Sequence, residues 1–119
     1  VGNPHVIFFV KNCENYDLLK IGPSLENHKL FPEKCNITLA EVINKNLIKT
    51  KVWERGVGMT KACGTAACAT AVAASEMNLS NKTVNIKFEL GIIKISLDIN
   101  NYITMSGHVS DIKKIKIKF

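Results

Sequence analysis

The chain has 119 residues, 46% of them hydrophobic, and 16 Lys and Arg against 10 Asp and Glu give it a formal net charge of +6. A chain of this size buries one modest core, so residues 1–119 are expected to form a single domain. No apolar run reaches the ~20 residues that span a bilayer, so no membrane partner is expected, and the opening VGNPHVIFFV has neither the basic leader nor the small-residue cleavage site of a secretory signal.

In chain order, Pro4 to Val10 is apolar on both faces and reads as a strand central in its sheet. The chain has no initial Met and opens as if inside an element, which is expected of a piece of something longer. Asp17 to His28 carries Leu18, Leu19 and Leu25 at roughly helical spacing but is interrupted by Gly22 and Pro23, which predicts one or two short helices. NITLAEVI and LIKTKVWE flank the turn-forming Asn44 to Asn46 and predict a hairpin. Glu54 and Arg55 end its second strand, and Gly56 and Gly58 supply bends in the flexible loop that follows.

Thr65 to Met77 is small or apolar on every face, the pattern of a helix surrounded by protein, and its alanines have the highest helix propensity. Two strands follow, with Val84, Ile86 and Phe88 and then Ile93, Ile95, Leu97 and Ile99 facing inward. Asn100 and Asn101 make the next turn, and two further strands end the chain. The expected fold is α+β: a mostly antiparallel curved sheet or barrel wrapped around a central buried helix. Small side chains on that helix let the layers approach.

The positive charge raises the question of a nucleic-acid partner, but it is spread along the chain. Where it concentrates, Lys114, Lys116 and Lys118 alternate with Ile115, Ile117 and Phe119, as on the wet face of a half-buried strand. With one Trp and no interleaving of aromatic and basic residues, a nucleic-acid-binding module is the minor alternative and no nucleic acid is expected. Cys13, Cys35, Cys63 and Cys68 form no CxxC and have no zinc spacing with His5, His28 or His108, so no metal is expected. Reduced thiols in a cytoplasm are the expected state.

The stretch ERGVGMTKACGTAACATAVAA, from Glu54 to Ala74, holds the chemistry. Cys63 and Gly64 precede the predicted helix, whose first turn presents unpaired N–H groups and the positive end of the helix dipole. Such an end lowers a thiol's pKa and seats an anion such as a carboxylate. Gly64 permits close approach of a ligand, and Thr65 offers a capping hydroxyl. A thiolate beside a seated carboxylate suits proton abstraction from the adjoining carbon, because the developing charge spreads into oxygens already facing N–H donors. An isolated Cys-Gly more often marks a small buried residue, and Cys68 fits that description.

GNPH (Gly2 to His5), GPSLENHKLFP (Gly22 to Pro32), Asn36, ERGVG (Glu54 to Gly58) and ACGTAACA (Ala62 to Ala69) resemble, in order and spacing, the C-terminal half of the diaminopimelate epimerases. The resemblance runs from Gly2 to about Gly107. It implies one of the two similar domains of that fold. It also implies an epimerase that needs no pyridoxal, metal or other cofactor and interconverts LL- and meso-diaminopimelate in lysine and peptidoglycan biosynthesis. Two cysteines act on opposite faces of the substrate's α-carbon.

By position, Cys63 is implied to be one of the pair, with Gly64 and Thr65 holding the reacting carboxylate. Asn3, Asn36, Glu54 and Arg55 are implied to recognise the substrate's amino and carboxylate groups, Glu54 also tuning Cys63. His5 resembles the histidine that assists the other cysteine. That cysteine belongs to a motif like NCGN in an N-terminal domain, and the motif does not occur here; KNCEN around Cys13 lacks the glycine and precedes no small-residue helix. The implied partners are therefore diaminopimelate, a missing N-terminal domain, and a second copy in a homodimer of the full-length enzyme. The isolated chain is expected to be inactive.

Met59 stands where the family usually has an acid, Lys61 where it is apolar or small, and Ala66 where it often has glycine. The rival within the same fold is another two-cysteine racemase such as a proline racemase relative. Asn3, Asn36 and Arg55, read as holding a second charged end, argue against it.

Overall fold

The computed structural model describes residues 5–26, 36–54, 58–60, 64–100, 102–107 and 115–118, with 22, 23, 25, 26, 58–60 and 115–118 described by backbone alone. The elements are β1 (His5–Phe9), a 3-10 turn (Cys13–Asn15), α1 (Leu18–Glu26), β2 (Asn36–Asn44), β3 (Leu47–Glu54), β4 (Gly58–Thr60), α2 (Gly64–Glu76), β5 (Thr83–Lys87), β6 (Ile92–Leu97), β7 (Tyr102–Gly107) and β8 (Ile115–Lys118). The fold is α+β. Its strands run β1-β2-β3-β5-β6-β7-β8 across one sheet, with β4 off this path on β3.

The expected hairpin forms between β2 and β3, with Val42 opposite Ile48 and Ile37 opposite Trp53. Its turn is closed by the Asn44 side chain, whose Oδ1 accepts the Asn46 N–H at 2.8 Å. The turn is then tied to the segment entering β5: Asn81 N–H donates to the Lys45 carbonyl at 2.9 Å and Asn81 Nδ2 donates to Asn46 Oδ1 at 2.7 Å. Most pairings are antiparallel, as expected, but β1 with β2 and β3 with β5 are parallel. These two arise because a helix intervenes in each connection, α1 in the first and α2 in the second. β3 divides one edge between two strands, giving Leu47–Lys49 to β5 and Val52–Glu54 to β4. The loop expected after Glu54 therefore includes a short strand.

Alternation along β1–β3 separates two apolar clusters. Ile7, Phe9, Ala40, Val42, Ile48 and Val52 pack with α2 and with β5–β7. Val6, Phe8, Val10, Ile37, Leu39 and Trp53 pack with Cys13, Leu18 and Ile21 on the α1 side. This corrects the reading of β1 as a central strand: among the described residues it pairs with β2 alone, at the end of the sheet order. Its two apolar faces reflect a cluster on each side, not a strand on each edge.

α1 continues through Gly22 and Pro23 without a break. Its start is fixed by Asp17, whose Oδ1 accepts the Leu19 N–H at 3.1 Å, and by Leu18, which is buried. α2 packs against β1, β2, β5, β6 and β7. Ala66, Ala67, Thr70, Ala71 and Ala74 are buried at helical spacing, while Cys68, Ala69, Val72 and Ala73 are half-buried. The expectation of a helix enclosed on every side is thus met on one side only. The sheet order ends at β1 and β8, and no pairing among the described residues joins those two strands.

Val84, Ile86, Phe88, Ile93, Ile95 and Leu97 are buried as expected, and full burial of each is worth roughly 1.5–3 kcal/mol. Ile99 is the exception at 89% exposed. Strand alternation stops at Asp98, whose Oδ1 accepts the N–H groups of Asn100 and Tyr102 and turns the chain, leaving Ile99 at the tip. At the far end, Lys116 and Ile117 stand opposite Thr104 and Ile103; the expected wet face of lysines lies outside the described side chains.

α2 ends on Asn78, which has φ 59, and the Leu79 N–H closes back on the Ala74 carbonyl at 2.8 Å. Asn78→Gly should preserve or slightly raise stability, whereas Asn78→Val should cost roughly 1–2 kcal/mol. Urea unfolding of the two variants checks this, and equal midpoints would contradict it.

Candidate functional site

The three described site residues on the sheet gather at one end of it and on one face. His5 and Asn36 are the first residues of β1 and β2 and stand opposite each other in the parallel register. Glu54 is the last residue of β3, one step beyond the Ile37–Trp53 pair, and so lies beside Asn36. By alternation His5 shares the face of Ile7 and Phe9, Asn36 that of Ala40, and Glu54 that of Val52, the face covered by α2.

The local sequence explains this placement. Strong strand formers, VIFF, NITLAEVI and LIKTKVW, place each polar residue at a strand end. His5 and Glu54 are half-buried, and Asn36 is 4% exposed. Burial pushes the His5 imidazole below its ordinary value of 6.5, and the Glu54 carboxylate pulls the other way. The ring is therefore neutral at pH 7. Its Nδ1 is buried and has no hydrogen-bond partner among the described residues.

Gly64 and Thr65 form the first turn of α2, Gly64 half-buried and Thr65 exposed. Gly58 stands opposite Glu54 and Thr60 opposite Val52, and the length of the connecting chain keeps the Gly64 Cα within about 14 Å of that of Thr60. A Cβ on Gly64 would come 3.3 Å from the Met105 sulfur, so the start of α2 lies tight against β7. The first turn of a thirteen-residue helix provides donors for an anion. Asn3, Arg55 and Cys63 lie outside the described residues.

Cys13 occupies the opposite side of the sheet. It is fully buried with Leu18, Ile37 and Leu39, and its backbone N–H donates to Glu41 Oε1 at 3.1 Å. Burial pushes its thiol up, against the pull of Lys49, so it is a poor source of thiolate. Nearby, Glu14 pairs with both Lys49 and Lys51 at 3.1 Å. A shallow cavity of about 360 Å³ on this side is lined by Glu14, Tyr16, Asp17, Leu19 and Lys51 among others. Glu14 and Lys51 in its lining are already paired with each other, and the sheet separates it from His5.

Two polar residues on the α2 face escape sequence reasoning. Thr38 and Thr70 are fully buried, and neither hydroxyl has a hydrogen-bond partner among the described residues. In the sequence Thr70 is one more small residue of the helix, and Thr38 an ordinary β-branched strand residue.

A family model described as diaminopimelate epimerase matches residues 1–112. A protein named diaminopimelate epimerase from Pelagibacter ubique is 68% identical over 118 residues, which cover 99% of this chain and 43% of that protein. Proteins of the same name from Afipia carboxidovorans and Methylorubrum extorquens are 48% and 47% identical, over 90% and 92% of this chain and 37% of theirs. The chain thus spans about two fifths of the length of these relatives.

Because the folded-state affinity of His5 for a proton is lowered, its contribution to stability is complete above pH 6.5 and is lost as the pH falls through the depressed folded value. Urea unfolding between pH 8 and 5 should show stability falling below pH 6.5, less steeply in His5→Gln than in the unmodified chain. Parallel curves would contradict the reading of His5 as a buried neutral ring.

Proposed function

The chain belongs to the diaminopimelate epimerase family, and on that premise we propose that it supplies one half of the active site of an enzyme that interconverts LL- and meso-diaminopimelate. The observation that carries this reading is the gathering of His5, Asn36 and Glu54 on the sheet face covered by α2, within a family match over 1–112. The chain is one domain of that enzyme, with its sheet curved as a barrel around α2.

In this reading Cys63, next to Gly64 at the start of α2, is one of two thiols that act on the α-carbon from opposite faces. As thiolate it removes the α-proton; as thiol it returns one. The α-carboxylate sits on the N–H groups of the first turn at Gly64 and Thr65, which stabilise the charge that develops on its oxygens as the proton leaves. Asn3, Asn36, Glu54 and Arg55 receive the substrate's amino and carboxylate groups, with Asn3, Asn36 and Arg55 at its second charged end, and Glu54 tunes Cys63. His5 assists the other thiol.

That second cysteine comes from an N-terminal domain, and the complete enzyme pairs as a homodimer, works in the cytoplasm with reduced thiols and uses no cofactor. Cys13 is unsuited to the role: it lies on the face of the sheet away from His5 and its proton affinity is raised. Oxidation of either catalytic thiol removes the base.

The test is a chimera in which this chain replaces the matching segment of the Pelagibacter ubique relative. Deuterium incorporation at the α-carbon of diaminopimelate in heavy water should be seen with the chimera and not with the 119-residue chain alone, and Cys63→Ala should cut it at least 10³-fold, about 4 kcal/mol of barrier. Exchange by the chain alone, or a chimera indifferent to Cys63→Ala, would defeat the proposal.

A further inference from the structure

Among the described residues, the buried side-chain atoms lacking a hydrogen-bond partner within the protein are His5 Nδ1, Thr38 Oγ1 and Thr70 Oγ1. A buried polar group left unpaired costs about 1–3 kcal/mol, so two hydroxyls and an imidazole nitrogen left this way call for an explanation. They come from three elements, β1, β2 and α2.

Register places the first two together. His5 stands opposite Asn36, and Thr38 lies two residues along β2 on the same face, opposite Ile7. Neighbouring strands about 4.8 Å apart and two residues of about 3.3 Å rise put the His5 and Thr38 Cα atoms roughly 8 Å apart. That gap is too wide for a direct bond from the short Thr38 hydroxyl and suits one intervening water.

Helix geometry brings in the third. Gly64 marks the flank of α2 that meets Met105 of β7. At about 3.6 residues per turn, Thr70 is turned about 240° from Gly64 and lies with Ala66 on the other flank of the buried stripe. α2 packs on β5, β6 and β7 on one side of the sheet order and on β1 and β2 on the other, so Thr70 belongs to the flank over β1 and β2.

We infer that Thr38 and Thr70 form a built site for one ordered water between β2 and α2, and that this water donates to Nδ1 of His5. Its oxygen accepts from both hydroxyls, and one of its protons goes to the ring. This satisfies all three orphaned atoms with a single molecule that has three polar partners, the usual number for a buried water. Of the residues around Thr38 on this face, Ile7, Ala40 and Val52 carry no polar side-chain atom.

Because Nδ1 accepts, the neutral ring carries its proton on Nε2. His5 therefore presents an N–H, not a lone pair, to whatever meets its other nitrogen. Resting on the role proposed above for His5, the ring steadies the partner thiolate by hydrogen bonding and does not act as its base. Thr38 and Thr70 are positioning residues in this arrangement.

The experiment is made on the 119-residue chain and on the chimera. Imidazole ¹⁵N–¹H correlation at pH 7.5 should show His5 as the Nε2–H tautomer, and the Thr38 and Thr70 methyl groups should give cross-peaks to a long-lived water. Thr38→Val and Thr70→Val should each lower the melting midpoint by about 4 °C, the double variant little further, and Thr38→Ser should restore it. Thr38→Val should also erode the Nε2–H preference, which a merely structural residue would not. If the hydroxyls are dry, the isosteric valines melt at or above the unmodified chain. That result, or an Nδ1–H tautomer in the unmodified protein, overturns the inference. Should a valine variant not fold, the tautomer and the water cross-peaks of the unmodified protein decide. None of these readouts uses turnover, so failure of the epimerase reading and failure of the water site are separately visible.

Discussion

The close seating of α2 on the sheet depends on side chains that end at Cβ. Ala66, Ala67, Ala71 and Ala74 line its buried stripe, and the strands it touches answer with Ile48, Ile86, Ile93 and Ile95, all fully buried. Bulk is supplied from one side only. Two layers of branched side chains would hold the helix away from the strands. The tight approach of Gly64 to Met105 shows the same constraint at the helix terminus, where the facing thioether is flexible enough to adapt.

The sheet is also a partition. Odd residues of β1 and even residues of β2 and β3 face α2, and their neighbours face α1 and the 3-10 turn. Polar and charged groups fall on both sides but are treated differently. On the α1 side Glu14, Lys49 and Lys51 pair with one another, and the Cys13 backbone is bonded to Glu41. On the α2 side the buried Nδ1 of His5 has no protein partner among the described residues, and a carboxylate acts on the ring. Paired groups stabilise; unpaired ones held in place are what a site requires.

Much of the local structure was legible because its determinants are local. The β2–β3 hairpin, the inward residues of β5 and β6 and the span of α2 follow from periodicity of about two or 3.6 and from Asn at the turns. Residues whose fate depends on partners were not. Ile99 continues the alternation of β6, yet Asp98 turns the chain first. The apolar faces of β1 read the same whether strands flank it or clusters cover it, and only the tertiary arrangement distinguishes these. The site was legible through motif order more than through chemistry, since Asn36 or His5 alone looks like an ordinary strand-end residue. Thr38 and Thr70 gave no signal, because a hydroxyl's partners are set by three elements distant in sequence.

The parallel pairing of β1 with β2 has a consequence for the order of assembly. His5 and Asn36 are about thirty residues apart in the chain, and the β3–β5 pairing spans a similar distance, whereas the two hairpin strands are joined by a tight turn. Loop closure delays the distant pairings relative to the hairpin. A folding chain thus acquires Glu54 on a finished hairpin early and gains His5 only when β1 docks. The imidazole and the carboxylate meet in the final steps, and a partly folded chain displays neither a buried histidine nor a completed face for chemistry.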